Sequence, residues 1–152
     1  MNRCEKDRPK KRRTGSDRRG KGEMLYQLQS GKPVDEIERG LQDSAARNQF
    51  GIIAVHDLRE TMKKKNVELA MECRIYEVCN PQQAKRALEA DGAISTALPC
   101  RISLYGSPGH YTLATMLPTE MLKSFNRPEI TPIAEEVERV IVQMMRDAAG
   151  SE

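Results

Sequence analysis

The spacing of apolar residues changes several times along the chain, and each change predicts an element. Residues 24–29 alternate weakly, which predicts a short edge strand. Pro33 then stands at a first helical position, where its missing N–H would be unpaired anyway. Val34, Ile37, Leu41 and Ala45 make one helical stripe that ends near Asn48, with Asp35 and Glu36 in the dipole-favoured first turn. Residues 50–55 form an apolar run that predicts a central strand. Asp57 caps a short helix or turn that closes on Lys63, Lys64, Lys65 and Asn66. Residues 68–79 read as one long strand, because Ile75, Tyr76 and Val78 favour extended backbone.

A sharp boundary follows. Asn80 is placed as an N-cap, Pro81 at the first helical position, and Gln83 where a capping box wants its reciprocal side chain. Ala84 and Leu88 then form the buried stripe of a second helix, and Gly92 supplies its left-handed stop. After Pro99 the alternation is clean: Cys100, Ile102 and Leu104 share one strand face, and Arg101, Ser103 and Tyr105 the other. Gly106-Ser107-Pro108-Gly109 is turn chemistry, and residues 111–116 return as the hairpin partner. Thr131-Pro132 opens a last helix whose stripe is Ile133, Val137, Val140, Ile141, Met144 and Met145, the methionines serving as core filler. Strands and helices in this order predict an α+β domain and not a repeating βαβ chain.

Charge divides the chain. Residues 1–22 hold ten Lys/Arg against Glu5, Asp7 and Asp17, a net of +7, whereas residues 23–152 hold fifteen against nineteen, a net of −4. The first 22 residues are too polar to offset the entropy of ordering and are expected to form a disordered basic arm. Such an arm attracts nucleic acid without sequence preference. It lacks the apolar stretch of a secretory signal, and Met24 stands as an alternative start. Absent any long apolar run, a membrane span is excluded and a cytoplasmic location expected. With no Trp and only two Phe, a base-stacking platform is excluded too.

Chemistry-bearing residues are few. Cys4, Cys73, Cys79 and Cys100 show no metal-ligand rhythm, so neither a zinc framework nor a disulfide scaffold fits. Cys79 directly precedes a helix N-terminus, where free N–H groups favour a thiolate, and Cys100 opens the next strand beside Arg101. The two cysteines are therefore candidates for a reactive thiol, a disulfide, or a soft-metal site with His56 or His110, although inert packing in the core is the stronger explanation of them. His56 and Asp57 are neighbours on a strand and point to opposite faces, so they make no dyad. Ser30-Gly31-Lys32 lacks the upstream glycine of a phosphate loop. No catalytic constellation, metal site or cofactor is expected.

Val78-Cys79-Asn80-Pro81, Ala84, Leu88 and Leu98-Pro99-Cys100-Arg101 together resemble the family called domain of unknown function 302, over about residues 24–124. There, a cysteine-asparagine-proline element opens a helix and a leucine-proline-cysteine element enters a strand. Membership implies an α+β fold of the TATA-binding-protein-like class and a homodimer, with no established activity. The chain departs from the family with Lys65-Asn66, where glycine is common, and with its basic arm and long terminal helix. The expected architecture is an antiparallel-rich sheet of about five strands with two packed helices, spanning residues 23–126, and a C-terminal helix over 127–152. The first expected function is a homodimeric binding module for a small ligand, anions included, held near Cys79, Asn80, Cys100 and Arg101. Thiol redox, sulfur handling or soft-metal binding through Cys79 and Cys100 comes second. Nucleic-acid association through the arm comes third.

Overall fold

The computed structural model describes residues 24–150. The predicted basic arm and its nucleic-acid role lie outside the described residues. Five strands, β1 (Leu25–Ser30), β2 (Gly51–Asp57), β3 (Glu72–Cys79), β4 (Cys100–Ser107) and β5 (His110–Met116), form one sheet in the order β1-β5-β4-β3-β2. Every neighbouring pair is antiparallel. Strand alternation gives the sheet two unlike faces. Tyr26, Leu28, Tyr76, Val78, Ile102, Leu104 and Leu113 point to one face and are buried. They pack there against α1 (Val34–Arg47) and α5 (Thr131–Ala149), whose Ile37, Leu41, Ile141, Met144 and Met145 belong to the same core. The α+β expectation holds, and α5 is an integral layer of it.

The two helices approach closely because Gly40 has no side chain: a Cβ there would lie 2.8 Å from the Ala148 Cα. A polar clasp beside this contact fixes their register. Ser44 Oγ donates to Asp147 Oδ2 at 2.7 Å, Arg47 Nη2 donates to the same oxygen at 3.1 Å, and Gln143 Nε2 donates to Oδ1 at 2.8 Å. Partial burial opposes ionisation of Asp147, but the bonds from Ser44, Gln143 and Arg47 outweigh it and hold the pKa below the ordinary carboxylate value. A depressed folded pKa contributes stability that is complete above the unfolded value of about 3.9 and is lost as pH falls through the lower folded value. Asp147→Asn is therefore expected to cost about 1 kcal/mol at neutral pH. Its urea midpoint should converge on that of the parent protein as both are titrated into acid.

Several sequence expectations are corrected. β2 is an edge strand and not a central one: a bulge at Ile53 interrupts its pairing with β3, and Ile53 and Val55 are exposed. Apolar content alone says nothing about which strands pair, and here it sits on an edge. β3 begins at Glu72, so residues 68–71 precede it. Pro33 is the extended N-cap of α1, with the helix starting at Val34. The second predicted helix is α3 (Pro81–Ala90), which buries Ala87 and leaves Leu88 exposed, because the small alanine face packs closest. Gly92 is not a left-handed stop; the chain leaves α3 through extended Asp91, and Gly92 opens a 3-10 turn.

Other local signals hold. Asp57 Oδ1 accepts from the Glu60 N–H at 3.0 Å and caps α2 (Leu58–Lys63). His56 and Asp57 face opposite ways, towards Glu77 and Arg74 respectively. Asn66 is left-handed at φ 60°, a conformation that glycine and asparagine adopt most readily.

Candidate functional site

β3 and β4 run side by side with Val78 opposite Cys100, so Cys79 is one step past that pair at the end of the sheet. The chain turns directly from Cys79 into α3. Asn80 adopts an extended conformation and its Oδ1 accepts from the Gln82 and Gln83 N–H groups at 3.0 and 3.2 Å. The reciprocal half of the predicted capping box is absent: Gln83 Oε1 instead accepts from Arg86 Nη1 at 3.4 Å. On the other side, a cis Leu98-Pro99 bond leads into Cys100. These two strand ends, α3 and the first turns of α5 line a half-open cavity of about 40 Å³.

Its walls are Phe50, Val78, Cys79, Ala84, Ala87, Ile94, Leu98, Pro99, Cys100, Leu122, Ile133, Ala134 and Val137, with Asn80 and Gln83 as the polar lining residues. Three of the four predicted site residues, Cys79, Asn80 and Cys100, therefore meet at one place. Arg101 does not join them. It points to the opposite sheet face, where its Nε lies 3.6 Å from Glu77 Oε1. The apolar walls contributed by α5 and by the 3-10 turn (Gly92–Ala97) had only their apolar periodicity as a sequence signal, which does not distinguish a cavity wall from core.

The site's electrostatics change the chemical expectation. The N–H groups that would hold an anion or a Cys79 thiolate already bond to the Asn80 side chain. Burial raises the Cys79 pKa above the ordinary thiol value, and Cys100 is pushed up to about 11, first by burial and then by the neighbouring Cys79. Both are free thiols that stay protonated at neutral pH. Cys73, across the sheet against Tyr105, is raised as well, by burial and then by the Asp57 charge. A histidine-assisted metal site does not form: His56 faces Glu77 at 3.3 Å, His110 is in the β4–β5 hairpin, and neither lines the cavity. Among the described residues no three His, Cys, Asp or Glu side chains are arranged to hold a metal.

A second polar cluster sits at the far end of β3. Glu38 Oε2 accepts from Arg74 Nη1 at 3.0 Å and from the Tyr76 hydroxyl at 2.8 Å. Burial, and then the Glu38 carboxylate, push the Tyr76 phenol far above its usual range, so it acts as a fixed donor. The cluster ties α1 to β3.

The opposite sheet face carries a groove bordered by Thr96, Ala97 and Met121. Leu25 and Met116, paired across β1 and β5, are exposed, and with Ile75 and Ala114 they line this shallow groove of about 420 Å³, which also includes Arg101 and Ser103. No helix among the described residues is long and apolar enough to cross a membrane.

The sequence profile described as "Domain of unknown function DUF302" matches residues 26–148. That match continues through α5, so the terminal helix is part of the family's fold and not an addition to it. The crystal structure of an uncharacterised conserved DUF302 protein from Bacillus stearothermophilus is similar, with a TM-score of 0.76 and 25% identity, over 83% of this chain and 98% of that one. No curated protein matches the chain.

Proposed function

We propose, from the premise that this chain belongs to the DUF302 family, that it is a small-ligand binding module whose site is the cavity between α3, α5 and the ends of β3 and β4. The observation that carries this reading is the contrast between an almost wholly apolar wall and the two amides, Asn80 and Gln83, that also line the cavity. Such a pocket buries an apolar group and orients the rest of the ligand through a few polar contacts. An apolar group is favoured over the anion expected from sequence, because Asn80 itself caps the helix N-terminus. At about 40 Å³ the cavity holds a group of a few heavy atoms, with the remainder of the ligand outside.

Xenon is a suitable probe, since dry apolar cavities admit it. In methyl NMR of the full chain, xenon should shift Val78, Ala84, Ile133 and Val137. Ala84→Leu fills the space and should abolish those shifts. Unmoved methyls in the parent protein would mean that the cavity is closed to ligands.

A homodimer and a cytoplasmic location belong to the same proposal. The groove on the sheet face opposite α1 and α5 supports self-association, because exposed Leu25 and Met116 line it with Ile75, beside both Glu77 and Arg101. A two-fold interface needs one patch that complements itself, apolar at its centre and carrying both charges. Met116→Lys is expected to convert a dimer to a monomer by light scattering. A parent protein that is already monomeric at micromolar concentration would refute self-association. Residues 1–22, with their net +7, support a further role in holding nucleic acid by charge alone. Deleting them should remove any such binding and leave the melting temperature unchanged.

A further inference from the structure

We propose that Cys79 and Cys100 form a two-sulfur site for a soft monovalent cation of the Cu(I) kind, a proposal that rests on the ligand-binding reading of the same cavity. Regular strand alternation should send the two side chains to opposite faces. They nevertheless line one cavity, because Cys79 is the last residue of β3 before the turn into α3 and Cys100 is the first of β4. Their backbones are one residue out of register on adjacent strands. Strands about 4.8 Å apart, offset by one rise of about 3.4 Å, separate such Cα atoms by roughly 6 Å. Cα atoms at that spacing are close enough for their side chains to bring two sulfurs to one ion.

The composition of the walls selects the ion. Zinc in a structural site takes four ligands, and a catalytic zinc keeps three from the protein. Here two sulfurs stand among apolar side chains and the amides of Asn80 and Gln83, with no carboxylate or imidazole in the lining. Soft thiolates select Cu(I), whereas magnesium, calcium and manganese prefer oxygen donors. A cavity of about 40 Å³ has room for the ion. On binding, each sulfur releases its proton to solvent, and no electron is transferred.

The test is anaerobic titration of the full reduced chain with Cu(I) presented as its bathocuproine disulfonate complex. The protein is expected to withdraw one equivalent of copper. Cys79→Ser and Cys100→Ser should each weaken that uptake by more than about 100-fold, since losing even a second-shell partner costs about 10–100-fold. Cys4→Ser and Cys73→Ser should leave it unchanged. X-ray absorption of the copper-loaded parent protein should show two sulfur neighbours, a readout that stands even if a serine variant unfolds. Failure to withdraw copper, undiminished uptake by the Cys79→Ser/Cys100→Ser double variant, or nitrogen and oxygen neighbours would each overturn the site. Xenon shifts persisting without copper uptake would sink this inference alone. Loss of both would sink the ligand-binding reading with it.

Discussion

Gly106→Ala is expected to lower the stability of the domain by about 3 kcal/mol or more, among the largest effects of any single methyl group in this chain. Gly106 has φ +133°, and a Cβ built on it would lie 2.2 Å from the His110 carbonyl oxygen. That oxygen is backbone, held in the ladder by the Ser107–His110 and Gly106–Tyr111 pairs, so it has no rotamer through which to yield. Relief requires opening the β4–β5 hairpin, and those two strands carry Ile102, Leu104 and Leu113 into the core. Gly109→Ala is the control. Its φ is also positive, +83°, but nothing lies within 4 Å of the added carbon, so only the conformational cost of about 1–2 kcal/mol remains. Urea unfolding of the two variants should separate them clearly. Equal midpoints would mean that the hairpin is looser than this geometry requires.

Val140→Asp is expected to abolish the folded domain or to destabilise it by about 4 kcal/mol or more. Val140 is 3% exposed within α5, in the same core as Tyr26, Leu28, Ile102 and Met144. A carboxylate there loses its water and gains no partner. The charge-free comparison is Val140→Ala, which removes methyl groups and should cost about 2 kcal/mol, leaving a cooperative transition. Circular dichroism melting of both variants checks the pair. A Val140→Asp protein that melts like its parent would place this face of α5 in solvent.

Both sites were legible in the sequence for the same reason: the signal was local. Gly106-Ser107-Pro108-Gly109 between alternating segments announces a hairpin, and the 3.6-residue stripe through Val140 and Met144 announces a buried helix face. Asn80-Pro81 likewise marked the start of α3 correctly, because capping uses groups within three residues of one another. The failures were of another kind. Residues 50–55 look like a central strand, yet β2 lies at the edge, since pairing order is decided by the whole sheet and not by any one run. Leu88 fits the helical period of α3 as well as Ala87 does; which of them is buried depends on how closely the helix approaches Ile94 and Ile130, a tertiary matter.

The candidate site divides along the same line. Cys79, Asn80 and Cys100 were singled out because they sit at element boundaries that the sequence marks, and the fold brings the three to one cavity. Arg101 was grouped with them by adjacency alone, and strand alternation carries it to the other face of the sheet. The cavity itself could not be read, since Phe50, Leu98, Ile133 and Val137 come from segments far apart in the chain and meet only in the fold. Thiolate activation at Cys79 failed as an expectation for a physical reason: the helix N–H groups have a nearer and better acceptor in the Asn80 carboxamide.

The most direct measurement of the binding proposal is mass spectrometry of small molecules released on denaturing the purified full chain, compared with the cavity-filled Ala84→Leu variant. The native protein is expected to release a compound with an apolar end in near-equimolar amount, and the variant to release none. A native protein that releases nothing above the blank, or a variant that releases the same compound equally, would contradict the assignment of this cavity as the binding site.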